Sequence, residues 1–366
     1  MRAAFGKLVL ITCMLVGLPL CGVMLAGLPV DPYLEFPPST RYVEPGDFSW
    51  PAFIVILAFV TAVCFPFLFV MLSGPKACRV DLARVRPFPW WGWCGVAFLA
   101  LAWVFAWTRF PWFESLQPFT FTPLWLGYIV IVNALTFKRT GHCMMRDHPG
   151  FFLSLFPLSG LFWWFFEYLN RFVQNWSYVS IDMLGPVEYV VHATLPFSTV
   201  LPAVLSTLQC LESFPHLDRA LRDLWPTGIP HQVALGWVVL LVAGGGLMGI
   251  GVWPDYLFAL VWISPLLIIL SIQMIFREET FLARLEEGDW RPVWLPAMAG
   301  LICGFFWELW NSQSLAHWVY TVPFVHDFKI FEMPILGYAG YLPFGLECVV
   351  VASLLPRRKP KTGLVT

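Results

Sequence analysis

The chain has 366 residues, of which 58% are hydrophobic, 17% are aromatic and only 12% are charged, and its mean hydropathy is +0.71. These values exclude an ordinary soluble domain, and a formal net charge of −1 gives no electrostatic reason to expect binding to nucleic acid. The sequence therefore predicts an all-α polytopic membrane protein, whose apolar segments cross the bilayer as helices.

Ten apolar runs are long enough to cross a hydrocarbon core roughly 30 Å thick, which takes about 20 helical residues. The first follows Arg2 and Lys7, as in a signal peptide, but it is too long for a typical signal core and has no Ala-x-Ala cleavage site. We expect it to be retained as a helix. The predicted spans are approximately 8–28, 51–73, 91–109, 122–137, 150–168, 185–205, 233–252, 256–276, 293–310 and 332–355.

Basic residues are distributed unequally between the loops on the two sides of these spans. If the N-terminus is cytoplasmic, 18 of the 22 Lys and Arg residues fall on the cytoplasmic side. The exceptions are Arg41, Arg109, Arg171 and Lys329. This bias predicts a multi-pass protein of the cell inner (cytoplasmic) membrane with both termini in the cytoplasm.

Residues 91–205 and 233–355 are similar to each other, which indicates an internal repeat. Pro123 is followed by Glu167 after 44 residues, and Pro265 is followed by Glu308 after 43. Each copy has four predicted spans, so the two copies would share one topology and be related by an axis along the membrane normal. We expect two N-terminal helices (1–90), repeat 1 (91–205), a cytoplasmic linker (206–232), repeat 2 (233–355) and a basic tail (356–366).

The correspondence extends beyond the two glutamates. "FFEYLN" (165–170) matches "FWELWN" (306–311), so each copy has Glu-x-x-Asn, which places Glu and Asn on one helical face. A Trp-x-Tyr sequence follows the Asn, at Trp176 and Tyr178 or at Trp318 and Tyr320, and a further glutamate, Glu188 or Glu332, begins the next span.

Ionisable groups within membrane helices are costly and usually functional. We predict that Glu167 and Glu308 are catalytic proton donors or acceptors, because a carboxylate at a helix C-terminus opposes the helix dipole and is a poor cap. Glu188 and Glu332 are predicted to share protons with them, although capping of a helix N-terminus is an alternative for both.

The residues around these acids are unusually aromatic. An interfacial belt of Trp and Tyr is one explanation. The other is a substrate cavity, in which the candidate binding residues are Asn170, Asn311, Trp176, Tyr178, Trp318, Tyr320 and His192. Such a cavity could donate a proton to an alkene and stabilise the resulting cation on the aromatic faces.

The sequence gives little indication of a metal or a cofactor. The nine cysteines are scattered singly, and no H-E-x-x-H occurs, so no metal ligand is predicted, although a site formed by His192, His317, His326 and glutamates stays open. No cofactor is required. Gly245-x-x-x-Gly249 is predicted to pack closely against another helix.

These patterns resemble the flavin-free, integral-membrane lycopene cyclase family of carotenoid biosynthesis. The resemblance covers about 40 residues per copy. It is closest at "PVEYVVHATLPFSTVL" (186–201), through Pro186 and Glu188, with Glu167 and Trp176 preceding; in the second copy Glu308, Trp318 and Glu332 match. The chain departs from the family at Tyr189 and Met333, which replace the second glutamate of a pair, and in having Glu where the family has Asp at the helix end.

The resemblance implies a related scaffold that acts on an isoprenoid. We expect an enzyme that acts on a long apolar isoprenoid or lipid substrate by redox-neutral acid/base chemistry, as a cyclase, isomerase or hydratase does. Two alternatives stay open: a transporter or lipid-handling protein with a polar site between the repeats, and a non-catalytic membrane scaffold. A membrane lipid or isoprenoid is the expected partner, and a homo-oligomer is possible.

Overall fold

The computed structural model describes residues 2–37, 42–73, 86–180 and 184–355. Within these ranges the chain is mostly helical. The helices are α1 Arg2–Leu25, α2 Asp31–Leu34, α3 Trp50–Ser73, α4 Trp90–Trp107, α5 Phe121–Thr140, α6 Met144–Asp147, α7 Pro149–Val173, α8 Pro186–Phe197, α9 Val200–Glu212, α10 Pro215–Ala220, α11 Gln232–Gly249, α12 Pro254–Leu257, α13 Ser264–Ile275, α14 Arg291–Asn311 and α15 Tyr341–Ala352. Shorter 3₁₀ segments occupy Pro111–Phe119, Phe258–Val261, Phe281–Glu287 and Ile335–Gly340.

The polytopic membrane class is supported by the lengths of these helices. Within the described ranges, nine helical segments are long and apolar enough to span a bilayer, where α8 and α9 together (Pro186–Glu212) and the last 3₁₀ segment with α15 (Ile335–Ala352) count as one segment each. The predicted span 256–276 is instead a bent pair, in which Pro254–Val261 and Ser264–Ile275 meet at 57°. Pro265, near the start of α13, has no backbone N–H and restricts the residue before it, which accounts for a break at this point. The predicted tail 356–366 lies outside the described residues.

Four short strands were not foreseen by the all-α prediction. They are β1 Trp176–Val179, β2 His317–Tyr320, β3 Lys329–Ile330 and β4 Met333–Pro334. β1 pairs antiparallel with β2, and β3 pairs antiparallel with β4. Because β1 follows α7 and β2 follows α14, the first pair joins two distant parts of the chain.

The register of β1 and β2 is symmetric. Trp176 lies opposite Tyr320, Tyr178 opposite Trp318, and Ser177 opposite Val319 at the centre. A two-fold axis through the Ser177–Val319 pair would produce this register, since each Trp faces the Tyr of the other segment. The arrangement agrees with the predicted repeat, which itself stays a prediction.

The two long N-terminal helices, α1 and α3, pack against different parts of the chain. α1 contacts α11 and α13, and the Lys7 Nζ atom lies 2.7 Å from Glu278 Oε1. α3 packs against α10 and the Ile335–Gly340 segment, where Phe53 joins Val322, Val325 and Leu336 in a small cluster.

Helices α14 and α15 cross at very short distance. A Cβ atom added to Gly345 would lie 2.0 Å from the Pro296 carbonyl oxygen, and one added to Gly300 would lie 2.3 Å from that of Tyr341. Gly249 also has a close neighbour, Leu257, but a Cβ atom on Gly245 would meet nothing within 4 Å. The close packing predicted for Gly245 is therefore wrong, because this residue faces open space.

A cluster of charges ties α10 to the start of α14. Arg291 donates to Asp289 Oδ1 at 2.7 Å through Nε and to Oδ2 at 2.7 Å through Nη2, and it also bonds Asp218. Partial burial works against ionisation of both carboxyls, but the hydrogen bonds from Arg291 outweigh it and hold the pKa of Asp218 and of Asp289 below the usual range.

This charge cluster makes stability depend on pH in the acid range. The two aspartates have lower pKa values in the folded state than in the unfolded state. Their contribution to the free energy of unfolding is therefore complete above the unfolded pKa of about 4 and is lost as the pH falls below it. We expect Asp289→Asn to flatten the acid limb of a plot of melting temperature against pH, and the exposed Asp223→Asn to leave it unchanged. An acid limb of equal steepness in Asp289→Asn and the wild-type protein would contradict this assignment.

Candidate functional site

Asn170 and Asn311 connect the ends of α7 and α14 to the strands that follow. The Asn170 Oδ1 atom accepts from the backbone N–H groups of Asn175 (2.8 Å) and Trp176 (3.3 Å), and Nδ2 donates to the Trp176 carbonyl (2.8 Å). Asn311 bonds the N–H and carbonyl of Trp318 at 2.8 and 2.7 Å. Both side chains are buried, and their hydrogen bonds to the backbone hold β1 and β2. Their predicted role in binding substrate stays a prediction.

The Glu167 carboxyl is fully buried and receives three hydrogen bonds on one oxygen. Its Oε1 atom accepts from Trp163 Nε1 (3.0 Å), Trp176 Nε1 (3.1 Å) and the Tyr178 hydroxyl (2.6 Å). Trp163 was not predicted, although it lies four residues before Glu167 and thus on the same helical face. α7 continues to Val173, so Glu167 lies before the last turn of the helix and not at its C-terminus as we expected, and the three donors account for its burial.

Glu308 has a related but different set of donors. Its Oε1 atom accepts from the hydroxyls of Tyr320 (2.7 Å) and Tyr341 (2.6 Å), while Trp318 Nε1 donates to the Tyr320 oxygen (2.7 Å). The counterpart of Trp163 here is Gly304, and a Cβ atom on Gly304 would lie 2.3 Å from the Tyr341 ring. Tyr341 thus fills the space that the glycine leaves. It lies 33 residues from Glu308 in the chain, so sequence spacing did not reveal it.

Both carboxyl groups have one oxygen in use and one without a partner. The Oε2 atoms of Glu167 and Glu308 are buried and have no hydrogen-bond partner among the described residues. Burial, with the neighbouring glutamate, raises the pKa of the Tyr178 and Tyr320 phenols well above the usual value. Each phenol therefore keeps its proton at neutral pH and donates it to the glutamate.

A cavity of about 620 Å³ lies beside these groups. Four aromatic residues of the strands line it: Trp176, Tyr178, Trp318 and Tyr320. They lie on one face of the strand pair, because side chains alternate along a strand and the register of β1 and β2 places each Trp opposite a Tyr. Its other aromatic walls include Trp163, Trp262, Trp307 and Tyr341, and α3 contributes residues from Ile56 to Cys64. Among the described residues, none that lines it is Asp, Glu, Lys or Arg.

The catalytic glutamates that we predicted do not themselves line this cavity. Glu167 and Glu308 lie behind the rings that do, and they reach it through the hydroxyls of Tyr178, Tyr320 and Tyr341. The predicted binding residues Trp176, Tyr178, Trp318, Tyr320 and His192 all line the cavity, and the His192 Nε2 atom lies 2.8 Å from the Pro118 carbonyl.

The structure places the two remaining predicted glutamates differently from each other. Glu188 is exposed, and its Oε2 atom accepts from the Gly185 N–H at 2.9 Å, which is the helix-capping role that we considered as the alternative. Glu332 is partly buried and close enough to Glu308 for the two carboxyls to interact electrostatically.

The histidines of the open metal hypothesis are not grouped. His192 and His317 line the cavity, whereas His326 lies 3.8 Å from Asp327. Within the part of the chain that the structure describes, no three His, Cys, Asp or Glu side chains are placed to hold a metal ion together.

No family model, no curated protein and no solved structure matches the chain. The resemblance to the lycopene cyclases consequently stays a prediction, and the functional argument rests on the geometry of the cavity and of the two glutamates.

Proposed function

We propose that the protein is an integral-membrane enzyme that takes a long apolar molecule, of isoprenoid or lipid type, into the central cavity and isomerises it by acid/base chemistry. The observation that carries this proposal is the pairing of an apolar cavity with two wall hydroxyls, on Tyr178 and Tyr320, each bonded to a buried glutamate. We further infer that it lies in the cytoplasmic membrane with both termini inside, because of the uneven distribution of basic residues.

The size and lining of the cavity favour an apolar ligand. Sites for small molecules usually enclose about 300–1,000 Å³ and are mostly apolar with a few convergent polar groups. Here the walls are aliphatic and aromatic, and the polar groups that reach the cavity include the phenol hydroxyls and His192. A charged substrate would lose its hydration without gaining an ionic partner from the described lining residues.

The glutamate and tyrosine pairs supply the proton transfers. One glutamate, as the carboxylic acid, transfers its proton through the phenol that it contacts to one carbon of a double bond. A neighbouring carbon of the resulting cation then loses a proton through the phenol of the other pair to its glutamate, which begins the cycle as a carboxylate. The product is an isomer, no oxidant or reductant is consumed, and proton exchange with solvent returns the two glutamates to their starting forms. The surrounding aromatic faces stabilise the intermediate cation.

This proposal predicts the effect of removing either carboxyl. Glu167→Gln and Glu308→Gln should each lower product formation by about 100-fold, since general acid/base catalysis contributes about 10²–10⁴. The lipid extract of cells with and without the protein is profiled by mass spectrometry, and membranes from cells grown in ordinary water and then incubated in heavy water should add one carbon-bound deuterium to the product. The exposed Glu114→Gln is the matched control. Full conversion by both glutamate variants would show that the acid/base proposal is wrong.

Lipid transport is the second candidate, because the cavity is walled by both predicted repeats and by α3. A transporter would leave every compound in the extract chemically unchanged and without added deuterium. It would instead retain an apolar molecule during purification and alter its distribution between the two leaflets. The same lipid profiles thus separate the two functions.

A further inference from the structure

A second candidate site lies at the end of α5, away from the cavity. The guanidinium carbon of Arg146 is 4.6 Å from the centre of the Phe137 ring, and that of Arg86 is 5.4 Å from the same centre. Lys138 follows Phe137 directly, and its carbonyl accepts from the Arg86 backbone N–H at 2.9 Å, which fixes the two segments together. Two guanidinium groups therefore lie at one phenyl ring, and Lys138 is a third basic residue next to that ring in the chain.

These charges have no partner of opposite sign among the described residues. Asp147, which is adjacent to Arg146 in the chain, accepts from His142 Nδ1 (3.2 Å) and from the Cys143 N–H (3.0 Å) instead. Arg139, by contrast, donates to Ser213 Oγ at 2.7 Å and stacks on Phe214 at 3.7 Å. Arg86 and Arg146 are exposed, so their donors are available to an external anion.

The surroundings place this cluster at the height of the membrane interface. Trp90 and Trp93, in the first turn of α4, are 77% and 63% exposed. Exposed tryptophans at the end of a membrane helix are typical of the headgroup layer. Trp91 lies 6.1 Å from Phe137 and connects this aromatic group to the cluster. This height is where the phosphate groups of membrane lipids lie.

We propose that Arg86, Lys138 and Arg146 bind the phosphate group of an anionic membrane lipid, with its acyl chains against the exposed face of α4 and α5. The guanidinium forks match phosphate oxygens, and basic groups between helices at the membrane surface attract anionic headgroups. The proposal is independent of the chemistry in the cavity. A purely local role, in which the arginines only balance the C-terminal dipole of α5, would not depend on lipid.

The test titrates the full-length protein in a non-ionic detergent with phosphatidylglycerol, with phosphatidylcholine or with inorganic phosphate. Bound lipid is counted by native mass spectrometry, and the melting temperature is recorded. Phosphatidylglycerol should bind and raise the melting temperature, and Arg86→Gln with Arg146→Gln should raise its half-saturating concentration by about tenfold or more, as the loss of two interfacial charges implies.

The control removes the same charge elsewhere. Arg219→Gln with Arg222→Gln should leave phosphatidylglycerol binding unchanged, and Lys138→Gln provides a milder variant if the first double variant does not fold. Each of three results would overturn the proposal. The control variant could lose as much affinity for phosphatidylglycerol as the Arg86 and Arg146 variant, phosphatidylcholine could bind as well as phosphatidylglycerol, or millimolar inorganic phosphate could displace the lipid.

Discussion

Gly345→Leu is expected to prevent the protein from folding, or to leave it as a rapidly aggregating species. The backbone of Gly345 lies so close to α14 that even a methyl group would come within 2.0 Å of the Pro296 carbonyl oxygen. Backbone atoms cannot rotate away as a side chain can, so the two helices must separate. Gly345→Ala should therefore cost about 1–3 kcal/mol, as overpacking of a core does, and leucine should cost more.

The separation of these helices would also damage the candidate site. Tyr341, one turn before Gly345, donates to Glu308, and its carbonyl oxygen is in the same tight contact with Gly300. Melting in detergent, followed by intrinsic tryptophan fluorescence and size-exclusion chromatography, measures the effect. Gly245→Ala is the matched control, because a methyl group there meets nothing and alanine is the better helix former. If Gly345→Ala melted at the temperature of Gly245→Ala, the close crossing of α14 and α15 would be refuted.

Asn170→Leu is expected to produce the second large loss. It removes three hydrogen bonds to the backbone of Asn175 and Trp176, and it leaves those buried groups without partners. Each unsatisfied buried group costs about 1–3 kcal/mol, so the variant should be several kcal/mol less stable. The loss of β1 would also displace Trp176 and Tyr178, which both bond Glu167.

The second Glu-x-x-Asn segment provides an internal comparison. Asn311 makes two such backbone bonds, so Asn311→Leu should destabilise the protein less than Asn170→Leu. Asn170→Asp keeps the acceptor oxygen and should fall between the wild-type protein and Asn170→Leu. Limited proteolysis near residues 174–180, together with thermal melting, reports on this order. A leucine variant that is as stable and as resistant to protease as the wild type would exclude the anchoring role of the asparagine.

Much of the helical framework follows from the sequence because long apolar runs have few stable alternatives in a bilayer. All backbone N–H and C=O groups must be paired there, and a helix pairs them within one segment. The bend before α13 follows from backbone hydrogen bonding too, because a proline has no N–H to donate. The prediction of one straight span at 256–276 missed this bend, since hydropathy is averaged over a window and one proline hardly changes the average.

The site was predictable where spacing along one helix determines it and not where contacts join distant segments. Glu167 and Asn170 share a face because they lie three residues apart. Two other features depend on tertiary packing. The Asn side chain bonds the strand backbone, and Tyr341 donates to Glu308 where Trp163 donates to Glu167. Glu188 shows the limit of arguing from residue type alone, since an acid at a helix start is also a cap.

The symmetric register of β1 and β2 bears on the ancestry of the protein. Exchanging the two strands of this antiparallel pair leaves the same Trp–Tyr contacts. Such a two-fold symmetric pair can therefore also form between two identical polypeptides. A shorter ancestor with a single copy of Glu-x-x-Asn and Trp-x-Tyr could have built the same strand pair by self-association, with each tryptophan facing the tyrosine of a sister chain. If the predicted repeat arose by such a gene fusion, Gly304 would mark a difference between the two halves, since Tyr341 lies beside Glu308 where Trp163 lies beside Glu167.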